Sequence, residues 1–338
     1  MQTQTLTVSD VGEHALIARI KARVATAPWV VTGPGDDAAV IKPERGTLDV
    51  VTTDALVDGV HFDQRFVPFD AIGHRALAVN LSDLAAMGAM PRASLLSLML
   101  PPALSVTAFE QIVDGFVALA AAHRVMLVGG NITSTPGPLT IDVTAIGSVR
   151  PRSVLTRDGA RPGDEVYVTG RLGDAAIGLQ QLRRGSASDA PGADDEACVE
   201  RYLRPAPRVR AGLLLGRNRA ASSCMDLSDG LADGVRQIAD ASGVGMTIDV
   251  HAIPMSPAAC RWQDANGRQP FEAAIGGGDD YELIFTVRPN RRGRLRAVRR
   301  DLGKLPITRI GVVTKDRRLL LKDQRGTRDL PAGYEHFR

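Results

Sequence analysis

Cysteine, lysine and aromatic residues are scarce in this chain. Only Cys198, Cys224 and Cys260 occur, with no CxxC pair and an odd total, which argues against a disulfide framework and a cysteine-rich zinc site. Lysine is confined to Lys21, Lys42, Lys304, Lys315 and Lys322. Nearly all positive charge is therefore arginine, and residue type alone singles out no arginine as a phosphate ligand. The formal net charge is only +3 over 338 residues, so no nucleic-acid partner is expected. No apolar run reaches the roughly 18 residues of a membrane span. The opening "MQTQTLTVSDVGEHALIARI" lacks the basic stretch, apolar core and small-residue cleavage site of an export signal. No membrane partner and a cytoplasmic location are the expectations. Neither a GxxxxGKS/T loop nor a GxGxxG opening a helix after a strand is present, which disfavours P-loop and Rossmann chemistry.

What is present is a chain long enough for two domains and 44% hydrophobic. Ser9 or Asp10 can cap a helix carrying Leu16, Ile17, Ile20 and Val24. Strand-like runs follow at 38–41 and 48–53, then the loop "DALVDGVHFD". Helices are expected near 72–87 and 106–123, with "RASLLSLML" as a buried strand, "VMLVGG" as a strand ending in glycines, and "LTIDVTAIGSV" alternating as a half-buried strand. The chain turns polar around 150–163 before "GDEVYVTG" opens a new strand. A boundary near 150 divides residues 1–150 from 151–338. The segment "RRGSASDAPGADDE" has the composition of a mobile surface loop. Strands near Cys224, Met246, Leu283 and Arg309 alternate with helices without the repeat of a doubly wound parallel sheet. The class expected is α+β, in two domains.

The acids fall in unusual places. Asp36 and Asp37 start the strand of "GPGDDAAV", Asp54 follows "LDVVTT", Asp83 lies in the apolar "LAVNLSDLAAMG", Asp226 and Asp229 flank a turn in "CMDLSDG", and Asp279, Asp280 and Glu282 cluster in "GGGDDYEL". Buried aspartates need a partner or a metal, and no lysine or arginine stands inside these segments. With the hydroxyls of Thr52, Thr53 and Ser228 they form an oxygen-only donor set suited to Mg²⁺. Each acid alone reads equally well as a cap or turn residue. The group, with its accompanying glycines, fits a nucleotide held through bridging metals.

Taken in order, "GDDAAV", "TTDALVDGVHF", "ALAVNLSDLAAMGA", "LVGGN", "VLTRDGARPGD", "VTGRLGDAAIGL", "YLRPAPR", "MDLSDGL", "GGGDDYEL" and "GYEHF" resemble the thiamine-monophosphate kinase family, in the superfamily of aminoimidazole ribonucleotide synthetase. The resemblance implies Mg²⁺-assisted transfer of the ATP γ-phosphoryl group to thiamine monophosphate, giving thiamine diphosphate. It implies an N-terminal mixed-sheet domain that binds ATP and Mg²⁺ and pairs with its copy in a homodimer. It also implies a C-terminal α+β domain, with ATP in the cleft between the two. Carried over by position, Asp37, Thr52, Thr53, Asp54, Asp83, Asn131, Asp226 and Asp229 are metal ligands; Gly130, Arg157 and Ser228 contact ATP; His61, Asp279 and Tyr334 contact the acceptor. No separate catalytic base is implied.

His61 also reads as an ordinary polar loop residue, Tyr334 as a packing anchor for the C-terminal tail, and Arg157 as one surface arginine among many. In "GGNITS", Asn131 stands where the family has aspartate and Ser134 where it has arginine. An asparagine oxygen can still ligate Mg²⁺ but brings no charge, so a raised Mg²⁺ requirement is expected. Two other readings stay open. One is a relative acting on a different small acceptor. The other is a non-catalytic sensor of nucleotide or thiamine phosphate, against which the retained set of costly charges argues.

Overall fold

A computed structural model describes residues 5–185, 193–269 and 271–333. The chain divides into two units, Met1–Leu84 with Pro91–Ser148, and Ala85–Met90 with Val149–Arg338.

The first unit contains α1 (Val8–Lys21), β1 (Val30–Thr32), β2 (Val40–Ile41), β3 (Leu48–Val57), α2 (Phe69–Ala86), β4 (Met90–Leu100), α3 (Val106–His123), β5 (Met126–Ser134) and β6 (Thr140–Val149). Its four-stranded sheet has the order β3-β6-β4-β5. The β4 and β5 strands are parallel, a pairing that needs a long crossover, here α3. Ser105 caps that helix by accepting the Ala108 N–H at 3.1 Å, and Arg124 ends it in the left-handed region at φ 57°. Along β6, Ile141, Val143 and Ala145 are buried while Thr140, Asp142 and Thr144 are only half-buried, the alternation expected of a strand with one face toward a core.

Two details correct the sequence reading. The cap of α1 is Thr7, not Ser9 or Asp10: Asp10 instead accepts the Thr7 N–H at 2.8 Å and the Thr7 hydroxyl at 2.7 Å. The strand that begins at Leu48 continues through Asp54 to Val57, so Asp54 is a strand residue and the loop starts four residues later than "DALVDGVHFD" suggested.

The second unit contains β7 (Glu165–Thr169), α4 (Asp174–Arg184), α5 (Ala193–Leu203), α6 (Val209–Arg217), β8 (Ser223–Asp226), α7 (Leu231–Ser242), β9 (Gly245–Asp249), α8 (Pro257–Ala265), α9 (Glu272–Gly276), β10 (Leu283–Val287), α10 (Arg292–Leu302), β11 (Ile307–Thr314), β12 (Leu319–Asp323) and β13 (Gly326–Asp329). Its seven strands run β13-β12-β9-β11-β7-β10-β8. Only β12 against β9 is parallel among the pairings described. Both sheets are therefore built into an α+β architecture. Val166, Val168, Met225, Val235, Ile238, Ile248, Ile284 and Ile310 share one core, and Ile177, Cys198, Ala259 and Ala273 form a smaller one. None of the three cysteines forms a disulfide. The segment read as a mobile loop falls largely on 186–192, outside the described residues; its ends belong to α4 and α5. No helix among the described residues is long and apolar enough to cross a membrane.

Candidate active site

In the first unit, β1 pairs antiparallel with β2, so residues 33–39 form the loop between them. Asp36 and Asp37 lie in this loop, both exposed, and the Asp37 N–H donates to Asp36 Oδ1 at 3.0 Å. The expectation that they begin a strand is corrected. Two adjacent charges are tolerated because the loop is hydrated, and one carboxylate caps the backbone of the other. Gly35 is required here by φ 124°, and the Lys21 ammonium occupies the space a Cβ would take.

This loop forms one wall of a cleft of about 1080 Å³, whose lining includes Lys21, Asp37, Ser97, Gly130, Asn131 and Thr144. Three of the sequence-derived residues, Asp37, Gly130 and Asn131, thus share one cleft. Asn131 faces Ser97 in the β4–β5 register, and Gly130 faces Leu96. A Cβ at Gly130 would overlap the Leu96 carbonyl, so the glycine is needed for close strand approach whatever else it binds.

The adjacent threonines of β3 diverge. Thr52 donates its hydroxyl to Asp83 Oδ2 on α2 at 2.5 Å. Thr53 donates to Asp142 Oδ1 at 3.4 Å and the Val143 carbonyl at 3.2 Å, and accepts from the Thr144 hydroxyl at 3.3 Å. Successive strand residues face opposite sides, so Thr52 and Asp83 are brought together while Thr53 points to the other face of the sheet. Asp142 and Thr144 were missed by sequence reasoning. The alternation in "TIDVTAIG" was the available signal, since it opposes them to the buried Ile141 and Val143.

His61 stands in the loop after β3. Its Nδ1 accepts the Val57 N–H at 3.1 Å, so the neutral ring carries its proton on Nε2. The loop is braced by Asp58, whose carboxylate accepts the Gln64 N–H at 3.0 Å and side-chain amide at 2.7 Å.

In the second unit, Asp226 is buried at the end of β8 and pairs across from Leu283 of β10. The turn after it is joined to the "GGGDDYEL" segment by backbone bonds: Asp279 N–H to Ser228 O at 2.7 Å, Tyr281 N–H to Leu227 O at 2.9 Å, and Leu227 N–H to Glu282 O at 2.8 Å. Asp226, Ser228, Asp229 and Asp279 therefore sit on one two-stranded platform. The Ser228 hydroxyl donates to Asp229 Oδ2 at 3.3 Å, and the Tyr281 hydroxyl to Asp279 Oδ1 at 3.2 Å. Asp279 and Tyr281 adopt φ 66° and 48°, left-handed conformations that cost non-glycine residues energy and recur at ligand sites.

The remaining acids of this segment point inward. Glu282 is fully buried and accepts from Arg208, from Arg201 at 2.9 Å and from the Thr169 hydroxyl at 2.7 Å. The inference that no arginine serves these acids is overturned: the cations come from "ERYLRPAPR", about 75–80 residues away in sequence. Asp280 is buried and accepts the Gly173 N–H with both oxygens at 2.9 Å. Burial pushes its carboxyl well above the usual carboxylate range.

This yields an expected result. A raised folded-state pKa contributes stability that is present below the unfolded value near 4 and is lost as pH rises through the folded value. Asp280→Asn keeps an acceptor for Gly173 without a charge. Thermal unfolding at pH 8 should find the variant at least as stable as the parent, with a flatter dependence on pH. A clearly lower midpoint would mean that the carboxylate is ionised and paired.

Arg157 is exposed and donates to Gln237 on α7. Tyr334 lies outside the described residues. Among the described residues no three acidic, histidine or cysteine side chains are already gathered at metal-binding distance.

The comparisons with known proteins follow the same division of the chain. Residues 35–149 match the model of the AIR synthase related protein N-terminal domain, and residues 161–324 that of the C-terminal domain. The thiamine-monophosphate kinase of Salmonella typhimurium is 41% identical over 96% of this chain and 98% of its own length. The crystal structure of thiamine-monophosphate kinase from Stenotrophomonas maltophilia, at 41% identity, superposes with a TM-score of 0.81 over 92% of this chain and 96% of that one. The solved structure of AaThiL complexed with AMPPCP and TMP, at 32% identity, does so with 0.77 over 99% and 100%. With both family domains matched and such identity over nearly its whole length, the chain belongs to the thiamine-monophosphate kinase family of AIR synthase related proteins.

Proposed function

We propose that this protein transfers the γ-phosphoryl group of ATP to thiamine monophosphate, giving thiamine diphosphate and ADP, the final step in making that cofactor. The observation that carries this reading is full-length similarity to thiamine-monophosphate kinases, one of them solved with a nucleotide analogue and TMP. Residues 1–150 are assigned ATP and Mg²⁺ binding and dimerisation, and 151–338 the remaining nucleotide and acceptor contacts. Exposed Val31, Val40, Leu48 and Val51, 50–63% accessible, support pairing of the N-terminal unit with its copy, since such apolar surface favours burial. The enzyme is assigned to the cytoplasm.

The oxygen donors of Asp37, Thr52, Asp54, Asp83, Asn131, Asp226 and Asp229 fit Mg²⁺. This ion prefers a few carboxylates with waters and substrate phosphates to an all-protein cage, so a set running from the exposed Asp37 through the half-buried Asp54, Asp83 and Asp229 to the buried Asp226 is suitable. Thr53 is retained in the assignment with its hydroxyl turned to Asp142. Mg²⁺ held by these residues would supply the positive charge that neutralises the reacting phosphates.

The rest falls to the chain's own groups. Arg157 and Ser228, with the backbone at Gly130, hold the nucleotide. His61, whose Nδ1 is taken by the Val57 N–H, is assigned to the acceptor's phosphate. Asp279 suits the cationic ring system of the acceptor rather than its phosphate, because like charges repel. Tyr334 completes the acceptor site. The attacking phosphate oxygen is already anionic, so positioning and charge neutralisation replace a general base.

Incubation with ATP, Mg²⁺ and thiamine monophosphate, followed by chromatography, should give thiamine diphosphate, and unphosphorylated thiamine should not be converted. No diphosphate over a wide Mg²⁺ range would reject the reading. In the same assay Asn131→Asp should lower the Mg²⁺ concentration for half-maximal rate, because it adds a charge to the cleft shared with Asp37. An unchanged Mg²⁺ dependence would remove Asn131 from the ligand set.

A further inference from the structure

The motif "YLRPAPR" is left without a role by the reaction chemistry, and its last residue, Arg208, together with Arg201 just before it, brings two guanidinium groups to one buried acid. Arg201 leaves the last turn of α5 and Arg208 the residue before α6. Pro205 and Pro207 stiffen the link between them. Arg208 binds both oxygens of Glu282, its Nε lying 2.6 Å from Oε2. Arg201 donates to Glu282 Oε1 at 2.9 Å and also to the Asp280 carbonyl at 3.2 Å. Thr169 of β7 closes the remaining side at 2.7 Å and turns its own hydroxyl oxygen to the Leu283 N–H at 2.8 Å. A Cβ at Gly170 would overlap the Glu282 carboxylate, so the chain is pared back to admit the cluster.

Stability alone does not account for such an arrangement. Burying a carboxylate with two guanidinium groups carries a desolvation penalty that well-packed apolar side chains avoid, and such replacements are often neutral or stabilising. What apolar packing does not supply is directional control of the backbone. Glu282 directly follows the stretch in which Asp279 and Tyr281 are held in left-handed conformations, and strain of that kind persists only where the surroundings over-determine it.

We propose that Arg208 and Arg201 are positioning residues for the acceptor site, acting through Glu282 to hold residues 279–281 so that the Asp279 carboxylate is presented in its binding orientation. This rests on the reading of Asp279 as an acceptor contact. The neighbouring turn at 226–230 shares backbone hydrogen bonds with this segment but is also held at its two ends by β8 and α7, so the acceptor side should feel the loss first.

The test compares the parent with Arg208→Ala and Arg208→Lys in steady-state kinetics for both substrates, alongside thermal unfolding and amide hydrogen exchange. Arg208→Ala should lower kcat/KM for thiamine monophosphate about 10²-fold, the order expected from a displacement near 1 Å, chiefly by raising its KM. The KM for ATP should change little. The lysine variant, which keeps the charge but loses the two-pronged geometry, should fall between. Exchange at the Asp279 and Tyr281 amides should rise more than elsewhere in the second unit. Should Arg208→Ala fail to fold, Arg208→Lys and Glu282→Gln carry the same comparison. A lower melting temperature with unchanged KM for the acceptor would overturn the inference, as would unchanged exchange at 279 and 281. A parent enzyme that forms no diphosphate would instead reject the functional reading, and the exchange comparison would still decide whether the cluster holds the segment.

Discussion

Asp226→Asn should lose about 10²–10³-fold in kcat, the order seen when one preorganised electrostatic group is removed from a site, while the protein remains folded. Asp226 ends β8, fixed in register against Leu283, and is only 5% exposed. Its position is set by the sheet rather than by a mobile loop, so the amide should occupy the same place with nearly the same volume. Removing a buried charge carries no packing penalty of its own. The nearby Cys224 thiol, which burial and then the Asp226 charge hold well above its usual range, should become easier to ionise, giving a second readout independent of turnover. Steady-state kinetics with a Mg²⁺ titration and thermal unfolding separate the possibilities. A variant within a few-fold of the parent would show that Asp226 is a structural strand end and not part of the metal set.

The largest expected effect on stability lies far from the acids. Gly73 of α2 and Gly115 of α3 face each other's helices: a Cβ at Gly73 would overlap the Ile112 carbonyl, and one at Gly115 the Asp70 carbonyl. The two backbones touch at this crossing, and a methyl group cannot be accommodated without separating helices whose apolar faces include Ile72, Phe109 and Phe116, all essentially inaccessible. Gly115→Ala should therefore destabilise by about 3 kcal/mol, at the upper end of the usual range for overpacking, despite alanine's better helix propensity. Urea unfolding measures this directly. A neutral or stabilising result would mean that the helices separate without cost.

That glycine pair also shows where sequence reasoning stops. The helix 106–123 is readable because its apolar residues recur at helical spacing, and β6 because its apolar residues alternate with period two. These are local signals, and both match the structure closely. Gly73 and Gly115 each read only as a local weakness in a helix, since nothing local says which helix crosses at that point. The same limit explains the acids. Asp36 and Asp37 seemed to begin a strand because Ala38 to Ile41 are apolar, yet only Val40 and Ile41 pair and the two acids remain in an exposed turn. Glu282 seemed to lack a cation because Arg201 and Arg208 reach it through tertiary folding. Thr52 and Thr53 seemed a pair because they are adjacent, whereas a strand sends neighbours to opposite faces. Residue types and order sufficed to identify the family. Which acids are ligands, which are caps and which are held inside by arginine depends on long-range contacts.

Transfer of a phosphoryl group from ATP to thiamine monophosphate leaves a mark that can be followed directly. The most direct measurement supplies ATP labelled in its γ-phosphate, with Mg²⁺ and thiamine monophosphate, and follows the label. The label should appear in the terminal phosphate of thiamine diphosphate, in one-to-one yield with ADP. Release of labelled inorganic phosphate with no labelled thiamine diphosphate, or no consumption of ATP at any Mg²⁺ concentration, would contradict it.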